Sequence, residues 1–260
     1  MDLQLKDKVA LVFGAGGGLG GAIADELARE GVRLGLASLR PEALEKTRAR
    51  VAQSTTTVAV PWDLADQDVI AGNIEAVENA LGPIDIVVHM TGGPPPSPIT
   101  GQPASSWQTH FEAMVLSVIG ITDAVLPGMR ARGWGRVITN VSSGVITPIP
   151  DLGLSNALRS TLVGWNKTLA REIASDGVTA NLVVPGRIET PRIGRLDAAR
   201  AERTGITPEE AAKASMASIP TGRYGNPEEY AAAVAFLASS RASYITGTAL
   251  RVDGGLIPSV

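Results

Sequence analysis

Short apolar runs alternate with longer amphipathic segments along this chain of 260 residues. The runs are rich in valine, leucine and isoleucine, as expected of buried strands, and cover residues 9–13, 32–37, 57–60, 85–89, 136–141, 178–184 and 249–252. Helical patterns cover residues 22–30, 41–53, 66–81, 104–132, 154–174 and 227–238, the fourth with a predicted interruption near Pro127. This alternation predicts one doubly wound α/β domain, residues 1–260, whose parallel sheet of about seven strands carries helices on both faces.

A glycine-rich turn follows the first strand, and a helical pattern begins directly after it. Five of the seven residues from Gly14 to Gly20 are glycines. Glycine allows positive φ angles and lets a phosphate approach the backbone without meeting a Cβ atom. The first N–H groups of the helix then point at the anion. The order of strand, turn and helix therefore predicts a phosphate-binding site, although each glycine alone is also compatible with a tight turn that binds nothing.

The composition limits the remaining functions. The formal net charge is −3, so the chain lacks the excess of positive charge that is typical of proteins that bind nucleic acid or an anionic membrane. The chain has no cysteine and only two histidines, so we expect no disulfide, no thiol chemistry and no metal site. The N-terminus lacks the apolar core of a signal peptide, and no uninterrupted apolar stretch reaches membrane-spanning length. The predicted location is the cytoplasm.

Six motifs, in order along the chain, resemble those of the short-chain dehydrogenase/reductase family. They are Gly14-x-x-x-Gly18-x-Gly20, Asp63-Leu64, the run from Asp85 to Gly92, Pro185-Gly-x-Ile-x-Thr190, residues 222–229 and residues 245–255. The resemblance implies a Rossmann-type fold that binds NAD or NADP, with Thr190 holding the nicotinamide carboxamide. The cofactor-binding residues that it implies are Gly14, Gly18, Leu19, Gly20, Asp63, Leu64, Gly92, Pro185, Gly186, Ile188 and Thr190.

The catalytic positions depart from the family pattern, which uses a serine, a Tyr-x-x-x-Lys pair and a helical asparagine. Ser142 matches the serine, whereas Ser155, Arg159 and Met114 stand where the tyrosine, lysine and asparagine are expected. An aliphatic hydroxyl is a far weaker acid than a phenol, and arginine cannot pass a proton as lysine can. Ser142, Ser155 and Arg159 are the candidate catalytic residues. Without the resemblance, the favoured predictions are that Ser155 is a small polar residue at the start of a helix and that Arg159 lies on a solvated helix face.

The second strand ends without the acidic residue that holds the adenine ribose in NAD-preferring sites. It ends instead with Ser38, Leu39 and Arg40, and an arginine there favours NADP, with NAD left open. Arg40 is equally compatible with a surface charge beside Pro41. Gly17 occupies the place where many NADP-binding members carry a basic residue. His89 and Met90 replace two asparagines of the family; the favoured interpretation of His89 is a strand-end residue bonded to backbone, and the alternative is a group that titrates near neutrality.

The segment 187–218 falls where the family has a lid over the substrate. Its arginines could meet an acidic substrate or the phosphates of a carrier, although an ordinary charged helix face is the favoured interpretation. We predict an oxidoreductase that acts on a carbonyl, an alcohol or an activated C=C bond of a small molecule. The alternatives are a silent dinucleotide-binding sensor or assembly protein, and a non-redox lyase or isomerase. The resemblance also implies a homodimer or homotetramer.

Overall fold

A parallel sheet of seven strands forms the centre of the computed structural model, which describes residues 1–259. The strand order is β3-β2-β1-β4-β5-β6-β7, and all neighbours are parallel. The strands are β1 (Val9–Phe13), β2 (Arg33–Ser38), β3 (Thr57–Pro61), β4 (Ile86–His89), β5 (Gly135–Asn140), β6 (Val178–Pro185) and β7 (Ala249–Val252). The predicted doubly wound α/β fold is confirmed.

Nine α-helices accompany the sheet within the described residues 1–259. They are α1 (Gly18–Arg29), α2 (Pro41–Val51), α3 (Ile70–Leu81), α4 (Ala104–Phe111), α5 (Ser117–Ala131), α6 (Gly153–Ile173), α7 (Pro191–Thr204), α8 (Pro208–Ala217) and α9 (Pro227–Ala238). Side chains along β1 alternate between the two faces. Ala10 and Val12 join the core beneath α1, α2 and α9, while Val9 and Leu11 join the core beneath α3, α5 and α6.

Helix α3 begins at Ile70, four residues after the predicted start near Asp66. The carboxylates of Asp63 and Asp66 each accept a hydrogen bond from the backbone N–H two residues further on. Aspartate side chains that bond locally in this way stabilise turns instead of helix. The helical periodicity of the segment could not reveal this competition.

The predicted interruption near Pro127 is wrong, because α5 continues through this residue. Pro127 is exposed, so the helix loses one hydrogen bond on its solvent side, while Val125, Leu126 and Met129 hold its other side against the core. The irregularity lies earlier, in a π-helical turn at Glu112–Leu116. By length and composition, the stretch Ala104–Ala131 is a candidate membrane span: a window of 18 residues within it has a mean hydropathy of 1.5, and 44% of that window is buried inside the protein.

Helices α7 and α8 form the segment predicted as a lid. Proline occupies the first turn of each helix, where its missing N–H costs nothing, and Gly205 ends α7 with φ at +68°. A capping box between Thr207 and Glu210 begins α8. The segment predicted as a lid therefore consists of two short helices with well-defined ends that follow β6 in the chain.

Candidate functional site

A cleft of about 990 Å³ opens at the carboxyl ends of the strands. From β1 to β3, each new strand is added on one side of β1, and from β4 onward each new strand is added on the other side. The direction of strand addition therefore reverses between β1 and β4. In open α/β sheets, ligands bind outside the strand ends at such a switch point. The cleft lies there, with lid residues along its outer wall.

The glycine turn lines one end of the cleft and is packed too closely for side chains. A Cβ atom on Gly20 would overlap the carbonyl oxygen of Gly14, and one on Gly18 would lie 2.8 Å from Cγ2 of Thr190. Gly14 itself has φ at +65°. The turn thus presents bare backbone at the N-terminus of α1, which is the geometry that accepts a pyrophosphate. The residues present fit a dinucleotide.

Most of the predicted cofactor residues lie together along the cleft. They are Gly14, Gly18, Leu19, Gly20, Arg40, Gly92, Pro185, Gly186, Ile188 and Thr190. Arg40 donates a hydrogen bond of 3.0 Å from its guanidinium to the carbonyl oxygen of Gly16. Its charge therefore stands beside the glycine turn.

Three predicted cofactor residues do not line the cleft. Ser38 is buried, and its Oγ accepts a hydrogen bond of 3.3 Å from the backbone N–H of Arg40. The Asp63 carboxylate is used in the turn before α3, and Leu64 packs against the core.

All three candidate catalytic residues line the cleft. Ser142 follows β5, and its Oγ accepts a hydrogen bond of 3.1 Å from the N–H of Gly144. Ser155 lies in the first turn of α6, is 4% exposed, and its hydroxyl makes no hydrogen bond to any of residues 1–259. Because Arg159 is one helical turn further on, both α6 side chains face the cleft.

Arg159 is buried, so its interpretation as part of a solvated helix face is wrong. Its guanidinium donates to the carbonyl oxygens of Gly92 at 2.7 Å and Asn140 at 3.3 Å, and to Oγ1 of Thr91 at 3.3 Å. These bonds tie the ends of β4 and β5 to α6. Burial, followed by the nearby charge of Arg192, lowers the pKa of Arg159 to about 10, and the group remains a cation at neutral pH.

The lid contributes a strongly positive wall, whereas the sequence favoured an ordinary charged helix face. The lid arginines that line the cleft are Arg187, Arg192, Arg195, Arg200 and Arg203. The lining contains two carboxylates, and both have partners: Asp151 pairs with Arg203 at 2.9 Å, and Asp197 accepts a hydrogen bond of 2.7 Å from the Tyr224 hydroxyl. Together with Arg40 and Arg159, seven arginines line the cleft against these two carboxylates, so the lining carries a net positive charge.

The favoured interpretation of His89, a residue hydrogen-bonded to backbone, is wrong. Its Nε2 lies 2.9 Å from Oγ1 of Thr122, and burial lowers its pKa to about 3. It therefore stays neutral at physiological pH, against the alternative of titration near neutrality. Met114, predicted from the sequence to occupy the family's asparagine position, is buried in the π-helical turn.

Sequence reasoning missed the residues that hold Arg159. Tyr230 is fully buried, and its hydroxyl donates a hydrogen bond of 2.6 Å to Oδ1 of Asn140, whose carbonyl accepts from Arg159. Burial raises the pKa of Tyr230 further above its ordinary value, so it remains a neutral donor. The two residues are separated by 90 positions, and no local pattern links them. None of the tyrosines among residues 1–259 lines the cleft.

Solved structures with high similarity cover the whole chain. The L-sorbose reductase of Gluconobacter frateurii, solved with NADPH and L-sorbose, superposes with a TM-score of 0.95 at 29% identity, covering 100% of both chains. A variant of the actinorhodin polyketide ketoreductase, solved with NADPH, gives a TM-score of 0.89 at 31% identity, covering 96% of this chain and 97% of that one.

Sequence comparisons agree with these structures. A 3-oxoacyl-(acyl-carrier-protein) reductase, FabG, of Vibrio cholerae is 34% identical over 256 residues, 98% of this chain and 99% of that protein. Nodulation protein G of Rhizobium sp. strain N33 is 33% identical over 253 residues, 97% of this chain and 98% of that protein. The family model described as Enoyl-(Acyl carrier protein) reductase matches residues 14–257. The chain belongs to the short-chain dehydrogenase/reductase family.

Proposed function

We propose that this protein is an NAD(P)-dependent oxidoreductase that acts on a carbonyl, an alcohol or an activated C=C bond of a small molecule. The observation that carries the proposal is the bare-backbone turn from Gly14 to Gly20, which opens into the same cleft as Ser142. Relatives named as reductases, among them the FabG of Vibrio cholerae and the L-sorbose reductase, support this assignment.

The glycine turn would hold the cofactor's pyrophosphate through backbone N–H groups and the dipole of α1. Thr190, which contacts the turn at Gly18, would hold the carboxamide of the nicotinamide, as in the family. A bound nicotinamide supplies or accepts a hydride. We assign to Arg40 the 2′-phosphate of NADP, because its guanidinium stands beside Gly16 and the end of β2 carries no competing carboxylate.

Ser142 would orient the substrate oxygen, since it lies at the carboxyl end of β5 with its hydroxyl at the cleft. Arg159 has a positioning role, because its hydrogen bonds fix the loop after β4 and the end of β5. In the absence of a tyrosine along the cleft, the proton comes from water or from the substrate itself. Reduction of a conjugated C=C bond suits such a site, because its second step can take a solvent proton.

Oxidation of NADPH and NADH by the purified protein, with a panel of ketones and enones, tests the proposal. We expect turnover with at least one substrate class, and a loss of about 100-fold in kcat/KM for Ser142→Ala, as for other oriented hydrogen-bond donors. Ser160→Ala, on the exposed face of α6, is the control for a lost serine hydroxyl. Absence of turnover across the panel, for a protein that is folded, would contradict the proposal.

A silent dinucleotide-binding protein is the second candidate. The hydrogen bonds of Arg159 to backbone carbonyls favour it. In the family, the lysine at this position would instead contact the ribose of the cofactor. This candidate predicts that calorimetry detects NADP binding without hydride transfer. The double variant Ser155→Tyr, Arg159→Lys, which restores the family pair, would then gain reductase activity that the parent protein lacks.

A further inference from the structure

Two arginines from different elements meet in the cleft. A Cβ atom placed on Gly93 would lie 3.6 Å from a guanidinium nitrogen of Arg159 and 3.6 Å from one of Arg192. These two nitrogens are therefore no more than twice that distance apart. Arg159 lies on α6 and Arg192 lies in the first turn of α7, so the second positive charge belongs to the predicted lid segment.

This pair has no counter-charge among residues 1–259. No carboxylate among the described residues forms a salt bridge with either arginine, and the side chain of Arg192 makes no hydrogen bond to any of them. Two like charges this close repel each other, and burial of Arg159 removes the water that would screen them. An arrangement of this kind is stabilised when an anion binds between the two cations.

The surroundings leave room for such an anion. Gly92 and Gly93 provide no side chain at this point, and a Cβ on Gly92 would meet nothing within 4 Å. The free hydroxyl of Ser155 lies one helical turn before Arg159 on the same wall. Both terminal nitrogens of Arg159 already donate to Thr91, Gly92 and Asn140, so this residue contributes mainly its charge. The guanidinium of Arg192 and the Ser155 hydroxyl supply the free donors.

We propose that Arg159 and Arg192 together bind one oxyanion, a carboxylate or a phosphate, in the cleft beside Gly93. The inference rests on the proposed function in one respect: the oxyanion belongs either to the substrate or to the dinucleotide. Arg192 is exposed and lies on the predicted lid segment, whereas Arg159 is buried and held by its hydrogen bonds. The bidentate geometry of the Arg192 guanidinium suits both carboxylate and phosphate, and Arg159 adds its positive charge.

The test is calorimetric titration of malonate and of NADP⁺ into the full-length protein, with malonate also titrated after saturation with NADP⁺. The variant is Arg192→Gln, and Arg171→Gln, at an exposed position of α6, is the control with the same change in net charge. Because a hydrogen bond to a charged group contributes strongly, we expect a loss of affinity of about 10-fold to 100-fold in Arg192→Gln.

The outcomes separate the sources of the oxyanion. If the substrate supplies it, malonate binds the NADP⁺-saturated protein and only malonate is weakened by Arg192→Gln. If the dinucleotide supplies it, NADP⁺ is weakened and malonate fails to bind the saturated protein. Equal affinities of Arg192→Gln and Arg171→Gln for both ligands would overturn the proposal. Titration of malonate into the cofactor-free protein keeps the test independent, because it still reports on the arginine pair if no dinucleotide binds.

Discussion

His89 makes the stability of this protein depend on pH in a way that the structure specifies. It ends β4 in the core, with its ring stacked on Phe13 at a centroid distance of 5.8 Å. The hydroxyl of Thr122 donates to the carbonyl of Val118 at 2.7 Å and must therefore accept from Nε2–H of His89. The neutral imidazole is fully accommodated, whereas the imidazolium would place a charge in the core.

The sign and size of the effect follow from linkage. Burial lowers the pKa of His89 to about 3, against about 6.5 in the unfolded chain. Between these values the unfolded state binds one more proton, so the free energy of unfolding falls as the pH falls, by about 1.4 kcal/mol per pH unit. The loss is complete only below the folded-state pKa. Between pH 7 and pH 4.5 it amounts to about 2.5 kcal/mol.

Urea unfolding at several pH values between 7 and 4.5 measures this effect. His89→Asn is expected to reduce the pH dependence of the free energy of unfolding by about 2.5 kcal/mol over that interval, whatever its stability at pH 7. His110→Asn is the matched control, since His110 is the other histidine and lies part-exposed on α4. Identical pH dependence in the parent protein and His89→Asn would refute the reasoning.

Three further substitutions test the site. Arg40→Gln is expected to weaken NADPH about 10-fold and NADH by less than 2-fold in fluorescence titrations, because only NADPH carries the 2′-phosphate; equal losses would remove the proposed NADP preference. Gly20→Ala should abolish dinucleotide binding in calorimetry, since its Cβ overlaps the carbonyl of Gly14. Arg159→Met should lower the free energy of unfolding by about 3 kcal/mol, because buried carbonyls lose charged donors; Arg223→Gln, in an exposed ion pair with Glu229, should change it by less than about 1 kcal/mol.

The sequence by itself determined the elements that depend on local pattern. Buried strands of a parallel sheet are nearly continuous apolar runs, so strands such as residues 9–13 could be placed to the residue. The glycine turn was equally legible, because the need for bare backbone between strand and helix permits few other residues. The prediction that Ser155 and Arg159 stand where the family has its tyrosine and lysine also needs no coordinates.

The tertiary structure alone decided what surrounds these residues. Arg159 has the sequence context of a solvated helix face, and only the approach of Gly92 and Asn140 from two strands shows that it is buried. Likewise, α5 continues through Pro127 because its inner face packs against side chains from other parts of the chain. Local sequence encodes secondary structure through propensity and periodicity. Burial, charge pairing and pKa depend on contacts between segments far apart in the chain, and these exist only after folding.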